Sequence, residues 1–156
     1  MTRGDIQRLE RALAVTLPLC YTDLLLRYPL ALEENGFHFG DGFEPLSKRF
    51  LVKDIDRLIE LNETVSAAGE RLTDEVPWPA HLFAIGENAG GDYYLLELGS
   101  EAGRVLFFNR QIGTLNPCAR TLEGFIERIL RQAEEFNFWH SPALNASREA
   151  KAANLS

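Results

Sequence analysis

The stretch from Leu82 to Arg110 constrains the fold more than any other part of the chain. Three apolar, aromatic and β-branched runs are separated there by two glycine-rich breaks, Gly90-Gly91 and Gly99 to Gly103. Glycine takes positive φ cheaply, so each break marks a chain reversal. Strand, turn, strand, turn, strand predicts an antiparallel meander. Its alternation places Tyr93 and Leu95 on one face and Tyr94, Leu96 and Leu98 on the other. Both sets are apolar, so the spacing predicts a central strand covered on both faces.

A chain of 156 residues, 46% of them hydrophobic, is read as one domain able to bury a sizeable core without disulfides. Its net charge of -7 argues against a nucleic-acid binder, because phosphate contacts need a basic surface. The same charge suits a basic protein partner, or serves solubility alone. Cys20 and Cys118 stand far apart, in no metal or redox spacing, and are read as reduced thiols. The start of the chain resembles no signal segment and no run is long enough to span a bilayer. The expectation is a cytoplasmic protein that binds neither membrane nor nucleic acid.

Ahead of the meander, Asp5 is placed as the cap of a helix carrying Ile6, Leu9 and Leu13 and stopping near Thr16. Pro18 suits the first turn of a second helix with Tyr21, Leu24 and Leu25 on its apolar side, and Pro29 breaks it. Glu33 to Gly36 reads as a stop and a turn. Phe37, Phe39 and Phe43 around Gly40-Asp41-Gly42 predict a hairpin, Phe37–Phe39 against Phe43–Leu46, with His38 on its exposed face and Asp41 in its turn. Asp54 caps a third helix with Ile55, Leu58, Ile59, Asn62 and Val65 at helical spacing, ending near Gly69. Residues 71–75 read as a polar loop, and Pro77-Trp78-Pro79 as an extended lead into the meander. Beyond the meander, Gly113 to Pro117 reads as a turn. Thr121 then caps an amphipathic helix with Leu122, Phe125, Ile126, Ile129 and Leu130 in one stripe. The pattern decays from Asn137, and residues 141–156 read as a frayed tail or a lone surface helix. The fold class is α+β: a central, mostly antiparallel sheet, with an amino-terminal helix pair, a middle helix and a C-terminal helix packed on it. Residues 1–136 form the domain and 137–156 a tail, partly docked or disordered.

Ile6 to Glu10 leading through Leu17-Pro18 to Tyr21 and Leu24-Leu25 resembles the paired amino-terminal helices of the SUKH superfamily, named partly after a yeast cell-wall synthesis regulator. Asn35-Gly36, Trp78-Pro79, Phe83 to Gly86 and Gly90 to Leu95, then Leu122 and Phe125-Ile126, are similar to that family's later segments in the same order. The resemblance covers Ile6 to Leu130. It implies an α+β fold with a central sheet and no catalytic centre. It further implies an immunity protein, one that binds a cognate bacterial toxin, often a nuclease. The alternative within the same fold is a regulatory or scaffold interaction module without a toxin partner. Partner choice lies in variable surface, so the resemblance carries over no binding residue.

Other chemistry is weakly signalled. Gly86 to Asp92 lacks the Lys-Ser or Lys-Thr pair and the following helix of a phosphate loop, and Glu87 and Asp92 repel phosphate. A hairpin turn in which Asp92 satisfies backbone donors explains it better. His38, His81 and His140 fall in three segments without ligand spacing. No catalytic residue, metal or cofactor is expected. Glu33, Glu34, Asp41, Glu44, Glu87 and Asp92 cluster at predicted turns. They are candidate partner-binding residues that imitate phosphate towards a basic toxin cleft, or else a solvated rim. Phe138 and Trp139 are a second candidate surface, or close the core. A homodimer through a sheet edge or the aromatic tail is compatible with the sequence but demanded by no pattern in it.

Overall fold

The computed structural model describes residues 1–67, 71–73 and 76–154. The chain runs α1 (Arg3–Leu13), α2 (Leu19–Leu26), α3 (Ala31–Glu34), β1 (Gly36–Phe39), β2 (Gly42–Pro45), α4 (Leu46–Arg49) and α5 (Ile55–Ala67). It continues through β3 (Arg71–Thr73), β4 (Val76–Pro77), β5 (Leu82–Glu87), β6 (Tyr93–Glu97), β7 (Val105–Asn109) and β8 (Thr114–Ala119), and closes with α6 (Leu122–Trp139) and α7 (Pro142–Ala153). This is the α+β class, with every strand pair antiparallel. The four-stranded sheet has the order β5-β6-β7-β8, beside two-stranded ribbons β1-β2 and β3-β4.

The expected two-faced strand is β6. Tyr94 and Leu96 belong to a core built with α1 to α6, in which Leu9, Tyr21, Leu25, Phe83 and Phe125 are almost wholly buried. Tyr93 and Leu95 belong to a second cluster under Leu61 and Val65 of α5, edged by Trp78. Each large side chain so buried contributes about 1.5–3 kcal/mol, so a charge at either face of β6 costs a substantial part of the fold's stability.

Local chemistry sets the ends of the elements. The cap of α1 is Thr2, not Asp5. The Thr2 hydroxyl accepts from Asp5 N at 3.2 Å, and the Asp5 carboxylate returns to Thr2 N at 2.8 Å. That reciprocal box satisfies two free amide donors and starts the helix earlier than one carboxylate would. The helix stops at Leu13, short of Thr16, because Ala14 is left-handed (φ 52°). Arg57 N donates to Asp54 Oδ1 at 2.8 Å and Gly124 N to Thr121 Oγ1 at 3.0 Å, the caps expected for α5 and α6.

Three further expectations are corrected. Glu33 and Glu34 are not in a turn but in the short helix α3, and Gly36 opens β1. A Cβ on Gly36 would lie 2.0 Å from Glu44 O, so close backbone approach selects the glycine. Residues 71–73 form β3 rather than loop. Gly113 to Pro117 is not all turn: Gly113 (φ 64°) turns the chain, and Thr114 begins β8. Pro117 is tolerated because β8 is an edge strand, where a missing N–H breaks no ladder. The expected end of the third helix at Gly69 lies outside the described residues. Residues 142–153 are helical, the second of the two forms foreseen for the tail.

Candidate functional site

The six candidate carboxylates occupy three parts of the surface. Glu33 and Glu34 lie on α3, Asp41 and Glu44 on the β1-β2 hairpin, and Glu87 and Asp92 at the ends of the β5-β6 connection. Three of them face cations of the chain itself. Glu33 pairs with Lys53, Glu44 with Arg49 Nε at 2.8 Å, and Glu87 with Arg57 at 2.8 Å. Arg57 also bridges Glu60 at 2.8 Å, and Glu60 first, then Glu87, hold its guanidinium above the usual value. Arg49, Arg57 and Glu87 line one groove of about 330 Å³ with Ser47, Val52 and Asp54, so the arginines that hold Glu44 and Glu87 share it. Lys53 lines an adjoining groove of about 440 Å³ with Asp5, Arg8 and Asp56. Paired carboxylates project less negative potential than six free ones, and half-buried pairs this close to the surface are individually worth on the order of 1 kcal/mol.

Asp92 has a structural task. Its Oδ1 accepts from Arg110 N at 3.0 Å and its Oδ2 from Asn88 Nδ2 at 3.1 Å. Asn88 Oδ1 in turn accepts from Gly90 N and Asp92 N, both at 2.9 Å. These bonds tie the β5-β6 turn to the end of β7 and leave Asp92 little freedom to meet a partner. Glu34 and Asp41 are exposed and make no ion pair with a described residue.

Gly86 is not a phosphate-loop glycine. A Cβ there would stand 2.1 Å from Phe50 O and 2.5 Å from Arg49 O, so the end of α4 rests directly on β5. Val52 N donates to Ile85 O at 2.9 Å, which fixes the floor of the arginine–carboxylate groove to the sheet. The histidines are scattered. His38 packs on Phe43, His140 stacks on Phe136 with centroids 4.0 Å apart, and His81 is exposed ahead of β5. Among the described residues no three His, Cys, Asp or Glu side chains gather as a metal cluster. Burial raises the Cys20 and Cys118 thiols, which keeps both protonated and weakly nucleophilic at neutral pH.

The sequence undervalued the hairpin as an aromatic surface. Phe39 is 52% and Phe43 46% exposed, on either side of the Gly40-Asp41 turn, while Phe37 is buried beneath. Asn137 of α6 ties the hairpin to the helix, accepting from His38 N at 2.9 Å and donating to Gly36 O at 2.7 Å. Phe138 and Trp139, 58% and 54% exposed, are the last two residues of that helix. Phe136 bridges the two elements, with ring centroids 5.2 Å from Phe37 and 5.3 Å from Phe39. The sequence signal was the spacing of three phenylalanines around a two-residue turn, where one small ribbon cannot bury every ring. Aromatics held on an ordered hairpin are suited to anchoring a protein interface, because little conformational freedom is lost on docking.

Among the described residues no helix is long and apolar enough to cross a membrane. No curated protein and no solved structure matches the chain. The model of the SMI1 / KNR4 family (SUKH-1) matches residues 1–128, from α1 into α6, and takes in all six candidate carboxylates. The chain therefore belongs to the SMI1 / KNR4 family (SUKH-1).

Proposed function

We propose that this chain is a non-catalytic protein-binding domain acting in the cytoplasm, an immunity protein that neutralises a cognate bacterial toxin by stoichiometric binding. The observation that carries the reading is the hairpin. Asp41 stands at its tip with Phe39 and Phe43 exposed on either side, and Phe138 and Trp139 are exposed on the helix tied to it. Aromatic anchors exclude water while a neighbouring carboxylate meets a cation of the partner. A basic nuclease cleft has the complementary charge for a chain of net charge -7. Glu34 and Asp41 are the strongest charged candidates, because neither is held by an ion pair within the described chain. Glu33, Glu44 and Glu87 contribute only by exchanging an internal cation for one of the partner, at the cost of the internal pair. Occlusion of the toxin's active site needs no bond to be made or broken.

The test is co-expression with the toxin domain encoded by the neighbouring gene, scoring survival and a co-purifying complex. The expected result is rescue with a stable complex, weakened about 30-fold or more by Phe43→Ala or Asp41→Lys. Absence of both rescue and complex would overturn the reading and shift it to the regulatory or scaffold module of the same fold.

A further inference from the structure

A groove of the opposite character is present among the described residues. Between the end of β8 and the first turns of α6 lies a hollow of about 550 Å³ lined by Arg120, Arg128 and Arg131 with Cys118, Gln132 and Glu135. Arg8, Arg27, Arg49, Arg57, Arg104 and Lys53 each sit on a carboxylate, whereas Arg3, Arg11 and Lys48, which line no shared groove of this kind, do not pair with a described carboxylate. Arg120, Arg128 and Arg131 have no carboxylate within ion-pair distance among the described residues, although Glu127, Glu134 and Glu135 stand at helical spacing from Arg131. Arg128 and Arg131 are three residues apart on one helix, so both guanidinium groups reach the same groove. Arg128 is also held in place: its Nη1 donates to Cys118 O at 3.0 Å, which engages one of the five N–H donors of the guanidinium.

We propose that this groove docks a short acidic segment of a protein partner, its carboxylates taken by Arg120, Arg128 and Arg131. The guanidinium fork matches a carboxylate in two parallel hydrogen bonds, and Arg128 is positioned before the partner arrives. A phosphate group is the poorer fit. Three of the first four amides of α6 that would cradle it are spent: Leu122 N donates to Ala102 O, Gly124 N to Thr121 Oγ1 and Phe125 N to Thr121 O. A nucleic-acid strand is poorer still, since its successive phosphates need an extended basic surface, whereas three arginines in one short groove can take only a few carboxylates. None of the residues lining the groove belongs to the aromatic hairpin, and Arg120 and Arg131 play no part in the toxin reading, so variants at these two test this assignment independently of it.

The experiment is fluorescence anisotropy of a fluorescein-labelled hexaglutamate peptide with the full chain at low salt, with hexalysine, inorganic phosphate and a short DNA oligonucleotide as competitors. The expected result is saturable binding, weakened about tenfold in Arg120→Gln/Arg131→Gln and unchanged in Arg3→Gln/Arg11→Gln, which removes the same charge from α1. All four arginines are exposed, so both double variants keep the fold, checked by matched thermal melts. No saturable binding, equal weakening in both double variants, or displacement by phosphate or DNA at lower concentration than by unlabelled hexaglutamate would each overturn the proposal.

Discussion

Asn62 and Ala84 form a closed pair: the Asn62 carboxamide donates to Ala84 O at 2.9 Å and accepts from Ala84 N at 2.8 Å. Ala84 lies on β5, an edge of the four-stranded sheet, and Asn62 reaches it from α5. One side chain thus supplies both bonds that a further strand would supply, and blunts an edge that could otherwise pair with another chain.

Replacing Asn62 by Ala should therefore cost about 2–4 kcal/mol, because a fully buried residue loses partners for both its amide and its carbonyl. Asn62→Leu, which keeps the bulk, should cost a similar amount. Urea unfolding of the three proteins gives the comparison. A loss below about 0.5 kcal/mol in both variants would mean that the edge finds other partners.

Gly86 and Gly99 should respond oppositely to the same change. At Gly86 an added Cβ meets Phe50 O at 2.1 Å, a backbone atom that cannot rotate away, whereas Gly99 has nothing within 4 Å. Gly86→Ala should destabilise by about 3 kcal/mol or more, and Gly99→Ala should stay within about 1 kcal/mol of the parent. Thermal melts of the two variants beside the parent decide the matter, and equal melting temperatures would contradict the packing of α4 on β5.

The same contacts explain what could be read from the residues alone. The meander was legible because glycine breaks flank Tyr93 to Leu96, a short aromatic run apolar on both faces, and so mark it as a strand between two layers rather than a buried helix. The caps at Asp54 and Thr121 were legible because capping is local. α3 and α4 were not, since four residues carry no helical period. β8 was hidden by Pro117, which argues against a strand until its place at the sheet edge is known. The candidate carboxylates were visible as charge but not as pairs: Glu87 finds Arg57 thirty positions away, and only the packing of α5 on β5 brings them together. Asn137 looked like the start of decay because its bonds to Gly36 and His38 span about a hundred residues of sequence.

Tyr21 offers a prediction of the opposite sign. Its ring is fully buried, edge-on to Phe83 at 5.8 Å, yet its hydroxyl finds no hydrogen-bond partner among the described residues. A buried hydroxyl without a partner costs about 1–3 kcal/mol. Tyr21→Phe keeps the ring and removes that cost, so its unfolding free energy should equal or exceed the parent's, by up to about 1 kcal/mol. A clear loss in denaturant unfolding would mean that the hydroxyl is bonded in solution.

Tyr94 sets a dependence on alkaline pH. The residue is buried among Phe50, Phe107 and Phe125, with ring centroids 5.8, 5.4 and 5.0 Å away. Burial, and after it Cys118, raises its hydroxyl from 10.0 to about 12, against the opposing pull of Arg128. Above pH 10 the unfolded chain gives up this proton while the folded chain keeps it, so the unfolded state is favoured as pH rises. The stabilisation due to the neutral hydroxyl is complete below about 10 and drains away as pH climbs towards about 12. Burial likewise raises Tyr21 and Tyr28, so the parent's decline is shared and Tyr94 must be read by difference. Urea midpoints taken from about pH 9 to about pH 12 should fall less steeply for Tyr94→Phe than for the parent. Parallel curves would mean that the Tyr94 hydroxyl ionises as it does in the unfolded chain, and that water reaches the core between β6 and α6.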